Sequence, residues 1–197
     1  GRTQAGVCYR LYPRKDYDTR PLYTLEEIYR TDLSEVVLRM SELGITDFEQ
    51  FDFLSQPNRE GLRGAIETLI LLNAIESDNT LSNIGKLMVE FPLMPRQSRI
   101  IVEAILRYPS VLEEVLIAAS FLSAQSPFIL PPGEETDARR AHHSFRHPAG
   151  DFMSYVVVFT RFTEAKNQES FCEKSYLDHR VMSEIANIKI QLEQIVS

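Results

Sequence analysis

"NAIESDNTLSNIGKLMVEF", residues 73–91, is the stretch that decides the fold. Ile75 and Leu81 bracket Ser77-Asp78-Asn79, a triplet of turn formers, so the run predicts a small β-hairpin. Ser82 then stands where it can cap a helix carrying Ile84, Leu87, Met88 and Phe91. Upstream, Leu33, Val36, Val37, Met40 and Leu43 recur at helical spacing, with Thr31 or Asp32 as N-cap and Gly44 as the stop. Between them "FEQFDFL" (48–54) alternates like a very short strand or turn, and a further helix runs from Asn58 through Leu62, Ala65, Ile66 and Leu69. Helix, helix, hairpin and short helix over residues 24–91 predict a winged-helix domain.

Residues 92–197 change character. Pro95 suits a first helical turn, and Ile101, Ala104, Ile105 and Tyr108 form a stripe that Pro109 ends. Ser110 and Glu113 stand in capping-box spacing ahead of Val115, Ala118, Ala119 and Leu122. The Pro-rich loop "SPFILPPGEE" (126–135) precedes a polar helix ending near His147-Pro148, and helices follow around Phe152–Thr163, Gln168–Tyr176 and Val181–Ile195. In the last, Val181, Ile185, Ile188, Leu192 and Ile195 define one inward seam. The expected fold is therefore mainly α, a winged helix with a small β-hairpin wing followed by an α-helical bundle. Residues 1–23 hold one strand, Val7–Tyr12, and a charged, Tyr-rich linker or surface loop, "PRKDYDTRPLY" (13–23).

Composition bounds the function. The chain has 197 residues, 44% hydrophobic, and no run of the roughly 20 apolar residues a membrane span needs. Its two cysteines, Cys8 and Cys172, make no disulfide framework, and a reducing cytoplasm is the expected setting. The net charge of -7 argues against autonomous nucleic-acid binding, so any such role must come from a local basic surface. "RRAHHSFRH" (139–147) offers one, with Arg139, Arg140, Arg146 and His147. His143 and His147 have metal-ligand spacing on a helix, but Pro148 follows and a third ligand is wanting, so a solvated basic helix is preferred and no metal is assigned. "FCEKSYLDHR" (171–180) mixes Lys174 and Arg180 with aromatics that could stack on bases, although Phe171, Tyr176 and Leu177 read better as core and Cys172 as a buried thiol. The helix from Asn58 carries Glu60 and Glu67 beside Arg59 and Arg63, which predicts a connector that does not read duplex sequence. No Walker-A loop or zinc-protease, serine-hydrolase or paired-Cys pattern occurs. The residues alone stop at a winged helix plus bundle, an accessory or recognition unit.

The order of these pieces resembles the region after the second RecA-like domain of the DEAH-box (DEAH/RHA) ATP-dependent RNA helicases, in their bacterial branch. "GRTQAGVCYRLY" (1–12) is similar to the end of that family's Q-R-x-G-R-x-G-R motif and the G-x-C-Y-R-L-Y strand after it. "EEIYRTDLSEVVLRMSELGITDFEQFDF" (26–53) and "LLNAIESDNTLSNIGKLMVEFPLMP" (71–95) resemble the opening, wing and exit of its winged helix. "EVLIAASFLSAQSPF" (114–128), "FRHPAGDFMSYVVVF" (145–159) and "FCEKSYLDHRVMSEIANIKIQLEQI" (171–195) resemble its ratchet-like bundle, with Phe152, Phe171 and Ser175 where that pattern has His, Trp and Asn.

The resemblance implies a piece of a longer chain, beginning inside the last ATPase motif. It implies an arginine-finger role for Arg2, placed with Gly1 at ATP and Mg2+ bound by the full-length parent, and no ATP hydrolysis by this segment alone. It implies single-stranded RNA (DNA as an alternative) against the bundle, with Arg139, Arg140, Lys174, Ser175 and Arg180 as contacts. The expected partners are that strand, the upstream RecA-like domains and protein activators, without a membrane. The alternative is a free-standing winged-helix regulator with a helical effector domain.

Overall fold

In a computed structural model, which describes residues 3–21, 23, 28 and 31–197, the regular structure of the described residues is helical. The helices are α1 (Arg14–Thr19), α2 (Ser34–Glu42), α3 (Arg59–Leu71), α4 (Asn83–Met88), α5 (Pro95–Arg107), α6 (Leu112–Ser123), α7 (Glu135–His143), α8 (Asp151–Glu164), α9 (Gln168–Ser175) and α10 (His179–Val196).

Polar side chains and left-handed residues place several of their ends. The Asp32 carboxylate accepts from the Ser34 N–H at 2.9 Å, so the expected Asp32 cap opens α2. Gly44, at φ 78°, closes it, as Ile45 N–H donates to Met40 O and Gly44 N–H to Ser41 O. Asn58 caps α3 through the Glu60 N–H. Asn73 (φ 55°) ends α3 in the same way that Gly44 ends α2, with Ala74 N–H on Leu69 O. The chain then enters the wing.

The wing is smaller than expected. Ile75 and Leu81 pair as a single antiparallel bridge, with the Glu76 N–H on Thr80 O and Asn79 (φ 66°) turning the chain; no strand forms here. The Asn79 side-chain amide donates to Thr46 O at 2.8 Å, fixing this turn against the loop after α2. Ser82 accepts from the Gly85 N–H at 2.9 Å and donates to Asn73 O, so one hydroxyl caps α4 and ties it to the end of α3. Gly85 is required by contact. A Cβ there would stand 2.0 Å from Ala74 O, and no side chain fits between α4 and that carbonyl.

Three further expectations change. Val7, Tyr9 and Leu11 lie exposed in neither helix nor strand, and among the described residues no strand stands beside them to take their hydrogen bonds. The presumed linker after them contains α1, pinned by Arg20–Asp16 at 2.7 Å and by Arg10 over the Tyr17 ring at 4.0 Å. Ser110 and Glu113 form no capping box: a 3-10 turn, Pro109–Val111, leads directly into α6, and Glu113 faces Lys189 at 3.4 Å instead.

α6 is the spine. Its Leu116 and Ala119 belong to a core shared with α2–α5 and with Leu192 of α10. Ile117 and Phe121 belong to a second, aromatic core with Phe145, Phe159, Phe162, Cys172, Leu177, Met182 and Ile185. Burying each such Phe or Leu contributes about 1.5–3 kcal/mol, so both cores depend on this helix. The α10 seam is confirmed at Ile185 and Leu192; Met182, outside the expected seam, is equally buried, while Ile195 is exposed.

Candidate nucleic-acid interface

The basic residues are positioned by a crossing of loops between α7 and α9. Tyr176 ends α9 in the left-handed conformation (φ 54°), which a Tyr adopts at a cost of about 1–2 kcal/mol. Its carbonyl, thereby turned outward, accepts from the Ile129 N–H and from His142 Nε2, both at 2.9 Å. Since a carbonyl only accepts, His142 carries its proton on Nε2. The next residues complete the junction: Phe128 and Leu177 form an antiparallel bridge, and the Asp178 N–H donates to Pro127 O at 2.7 Å. The Phe128 ring stands edge-on to His142, with centroids 4.9 Å apart. Tyr176 Oη donates to Glu134 at 2.8 Å, a bond that raises the phenol's pKa. The Pro-rich loop is thus fastened to α9, and α7 hangs from it.

On this frame Arg139, His142, His143 and Arg146 surround a groove of about 390 Å³ backed by Leu130. The polar helix stops at His143, short of the expected His147, because the Ser144, Phe145 and Arg146 N–H groups fold back in tight turns and Phe145 goes into the core. His147 is therefore off the helix, its Nδ1 accepting from the Ala149 N–H, and the helical spacing with His143 does not exist. Arg140 is exposed, pairs with Asp137 at 3.4 Å and does not line the groove. Glu135 is held below the usual carboxylate range by the N–H groups of Glu135 and Gly133, with the Arg139 charge adding to this.

Lys174 and Arg180 are exposed on α9 and at the start of α10, outside the groove, and Ser175 is half-buried on the last turn of α9. Asp178 caps α10, accepting from the Arg180 and Val181 N–H groups. Arg139, Arg146, Lys174 and Arg180 make no ion pair within 4 Å among the described residues, so their charge remains available to a ligand. Cys172 is buried; burial pushes its thiol up to about 11, and the Asp178 charge acts in the same direction, which fits an inert thiol. Leu177 is core and Phe171 packs against it, as expected.

The exposed face of α3 carries Arg59, Glu60, Arg63 and Glu67, an interleaving of both signs. Gly1 and Arg2 lie outside the described residues. Sequence reasoning missed His142 and the Tyr176 carbonyl that hold the groove together; the adjacent His-His pair was a signal, but its partner was remote in the chain. It also missed Arg99, whose Nε donates to Leu72 O at 3.0 Å while Glu103 pairs with it at 2.7 Å, joining α3 to α5.

Two family profiles match the chain. Residues 65–93 match the winged-helix part of the helicase associated domain (HA2), and residues 94–155 match its ratchet-like part. Along all 197 residues the chain is 48% identical to the ATP-dependent RNA helicase HrpA of Borreliella burgdorferi, covering 24% of that protein. It is 28% identical over the same length to the probable ATP-dependent RNA helicase DHX35 of Homo sapiens and of Pongo abelii, covering 28% and 27% of them. The chain spans about a quarter of the length of these relatives.

Proposed function

We propose that this chain, which matches the winged-helix and ratchet-like parts of the helicase associated domain, belongs to a DEAH-box RNA helicase and forms one wall of a channel for single-stranded RNA. The match to ATP-dependent RNA helicases along the whole chain carries the reading, and it disfavours a free-standing regulator. In this proposal residues 24–91 fix residues 92–197 beside two RecA-like domains, and residues 1–23 end the second of these. ATP-driven movement of those domains draws the strand past the bundle.

ATP and Mg2+ belong, in this reading, to other parts of the longer protein. Among the described residues no three His, Cys, Asp or Glu side chains converge in a way that could hold a metal ion. The finger role of Arg2 rests on the sequence motif. The bundle contributes charge. Arg139 and Arg146, with His143, offer donors to successive phosphates, while Arg140, Lys174 and Arg180 extend the basic surface around the junction. Such contacts are independent of sequence and weaken with salt. With a net charge of -7 the chain alone binds RNA weakly, and the RecA-like domains supply most of the affinity. A cytoplasmic setting is part of the proposal; among the described residues no helix is long and apolar enough to cross a membrane.

The test is an Arg140→Ala, Arg180→Ala pair in the longer helicase, assayed for unwinding and for ATPase at saturating RNA. Unwinding should fall more than ATPase, because the wall couples strand movement to turnover. If neither rate moves, the strand does not touch this face.

A further inference from the structure

Away from the basic groove, α5, α6 and α8 leave an apolar cleft of about 290 Å³ between them. Ala118 and Ala119 of α6 form its floor, and Ile100, Leu122 and Phe152 stand on its rim, 41%, 39% and 52% exposed. Three large apolar side chains from three helices, converging on a floor of alanines, are more than the scattered exposure of an ordinary surface.

The polar groups identify the occupant. Gln97 lines the cleft, and its amide is held within the fold: Oε1 accepts from the Met94 N–H and Nε2 donates to Leu122 O, both at 3.1 Å. Glu114 is the one charged residue in the lining; it is half-buried and has no ion pair within 4 Å among the described residues. The adjacent Glu113 already has Lys189, which it shares with Glu193. Asp151, beside Phe152, is exposed and likewise unpaired. No cation lines the cleft, so it lacks a positive charge next to apolar bulk. Its volume lies at the bottom of the range of about 300–1,000 Å³ typical of small-molecule sites, which suits a few side chains entering from a helix. Residues four apart on a helix share a face, so an aliphatic anchor and a Lys or Arg one turn away meet these two demands together.

We propose that this cleft docks a basic amphipathic helix of a partner protein, with apolar anchors over Ala118 and Ala119 and a cation on Glu114. The surface lies on the ratchet-like part, separate from the proposed RNA wall, and its test is independent of that reading.

The probe is a fluorescein-labelled 14-residue helix of leucine and lysine in amphipathic order, titrated onto the 197-residue chain. Its controls are the same composition scrambled and a leucine–glutamate counterpart. The lysine helix should bind, Phe152→Ala should weaken it, and Glu114→Gln should weaken it about two- to fivefold, the upper part of the range for an ion pair at a protein surface. Glu114 is one of 28 acidic residues, so removing it barely changes the overall charge. Both side chains are at the surface or half-buried, and far-UV circular dichroism should show an unchanged fold. Equal binding of the scrambled or glutamate peptide, or no response to Glu114→Gln, overturns the proposal. So does concentration-dependent self-association in sedimentation that Phe152→Ala abolishes, since that assigns the cleft to a second copy of the chain.

Discussion

Two antiparallel bridges stand outside the helices among the described residues, and they differ in how the chain reaches them. Ile75 meets Leu81 across a turn of five residues whose composition announces it. Phe128 meets Leu177 only after α7, α8 and α9 have been laid down between them. The first is closed locally, by Asn79 in the left-handed region and by the Ser82 hydroxyl. The second is closed by a tertiary contact, the left-handed Tyr176 whose carbonyl collects His142 and Ile129. Bridges alike in form thus rest on different physics, and variants that weaken each should behave differently.

The largest effect is expected in the local bridge. Gly85→Ala puts a methyl 2.0 Å from the Ala74 carbonyl, where backbone on both sides cannot yield without moving α4 off the wing. A loss of about 3 kcal/mol or more is expected, at the upper end for overpacking. Chemical denaturation measures it, and a loss under 1 kcal/mol would mean that the wing adjusts freely.

The second effect uses pH to sharpen the contrast, since Cys172 lies in the core beneath the remote bridge and its carbonyl accepts from the Leu177 N–H. Its thiol rises from 9.0 to about 11 in the folded chain through burial, with the Asp178 charge adding. A raised folded value favours the protonated fold, so this stability is complete below pH 9 and is lost as pH rises toward 11. The shift of about two units corresponds to roughly 2–3 kcal/mol. Cys172→Ala should therefore show a flatter fall in stability between pH 9 and 11 than the parent chain, and identical slopes would show that the thiol ionises without hindrance.

Much of the fold was legible because its signals are local. Gly44, Asn58, Ser82 and Pro95 act within a turn of themselves, and each does what its residue type predicts. The failures share a cause. Val7–Tyr12 has strand composition, but composition cannot supply a partner strand. Ser110 and Glu113 have capping spacing, but Glu113 is drawn to Lys189 from α10. For the candidate site, the basic residues were visible as a run, while their division was not. Arg139 and Arg146 share a groove because α7 is hung from Tyr176, and no residue type announces a Tyr with positive φ. The cleft on α5, α6 and α8 was likewise hidden, since its apolar residues read as core until the helices were packed.

Asp178→Ala comes next in size. The carboxylate caps α10 by accepting from two N–H groups, at 2.8 and 3.2 Å, directly after the remote bridge. Its removal should cost about 1–2 kcal/mol. Hydrogen exchange at Arg180 and Val181 should rise while the wing residues stay protected. Exchange that rises equally in both bridges would mean that the two regions open as one unit, and the comparison would collapse.

The smallest effect tests the tertiary node itself. His142→Ala removes one hydrogen bond to the Tyr176 carbonyl and the edge contact with Phe128. The carbonyl keeps the Ile129 N–H, so no buried acceptor is orphaned and the cost should be that of one ordinary hydrogen bond, about 1 kcal/mol. In a chain of this size that lowers the melting temperature by about 2–4 °C. The consequence for the groove should exceed the consequence for stability, because His142 holds α7 and with it Arg139 and Arg146. The reading is chemical-shift change along α7 with the wing unaffected. A stability loss greater than that of Asp178→Ala would show that the imidazole, rather than the α10 cap and the bridge, is what closes the crossing.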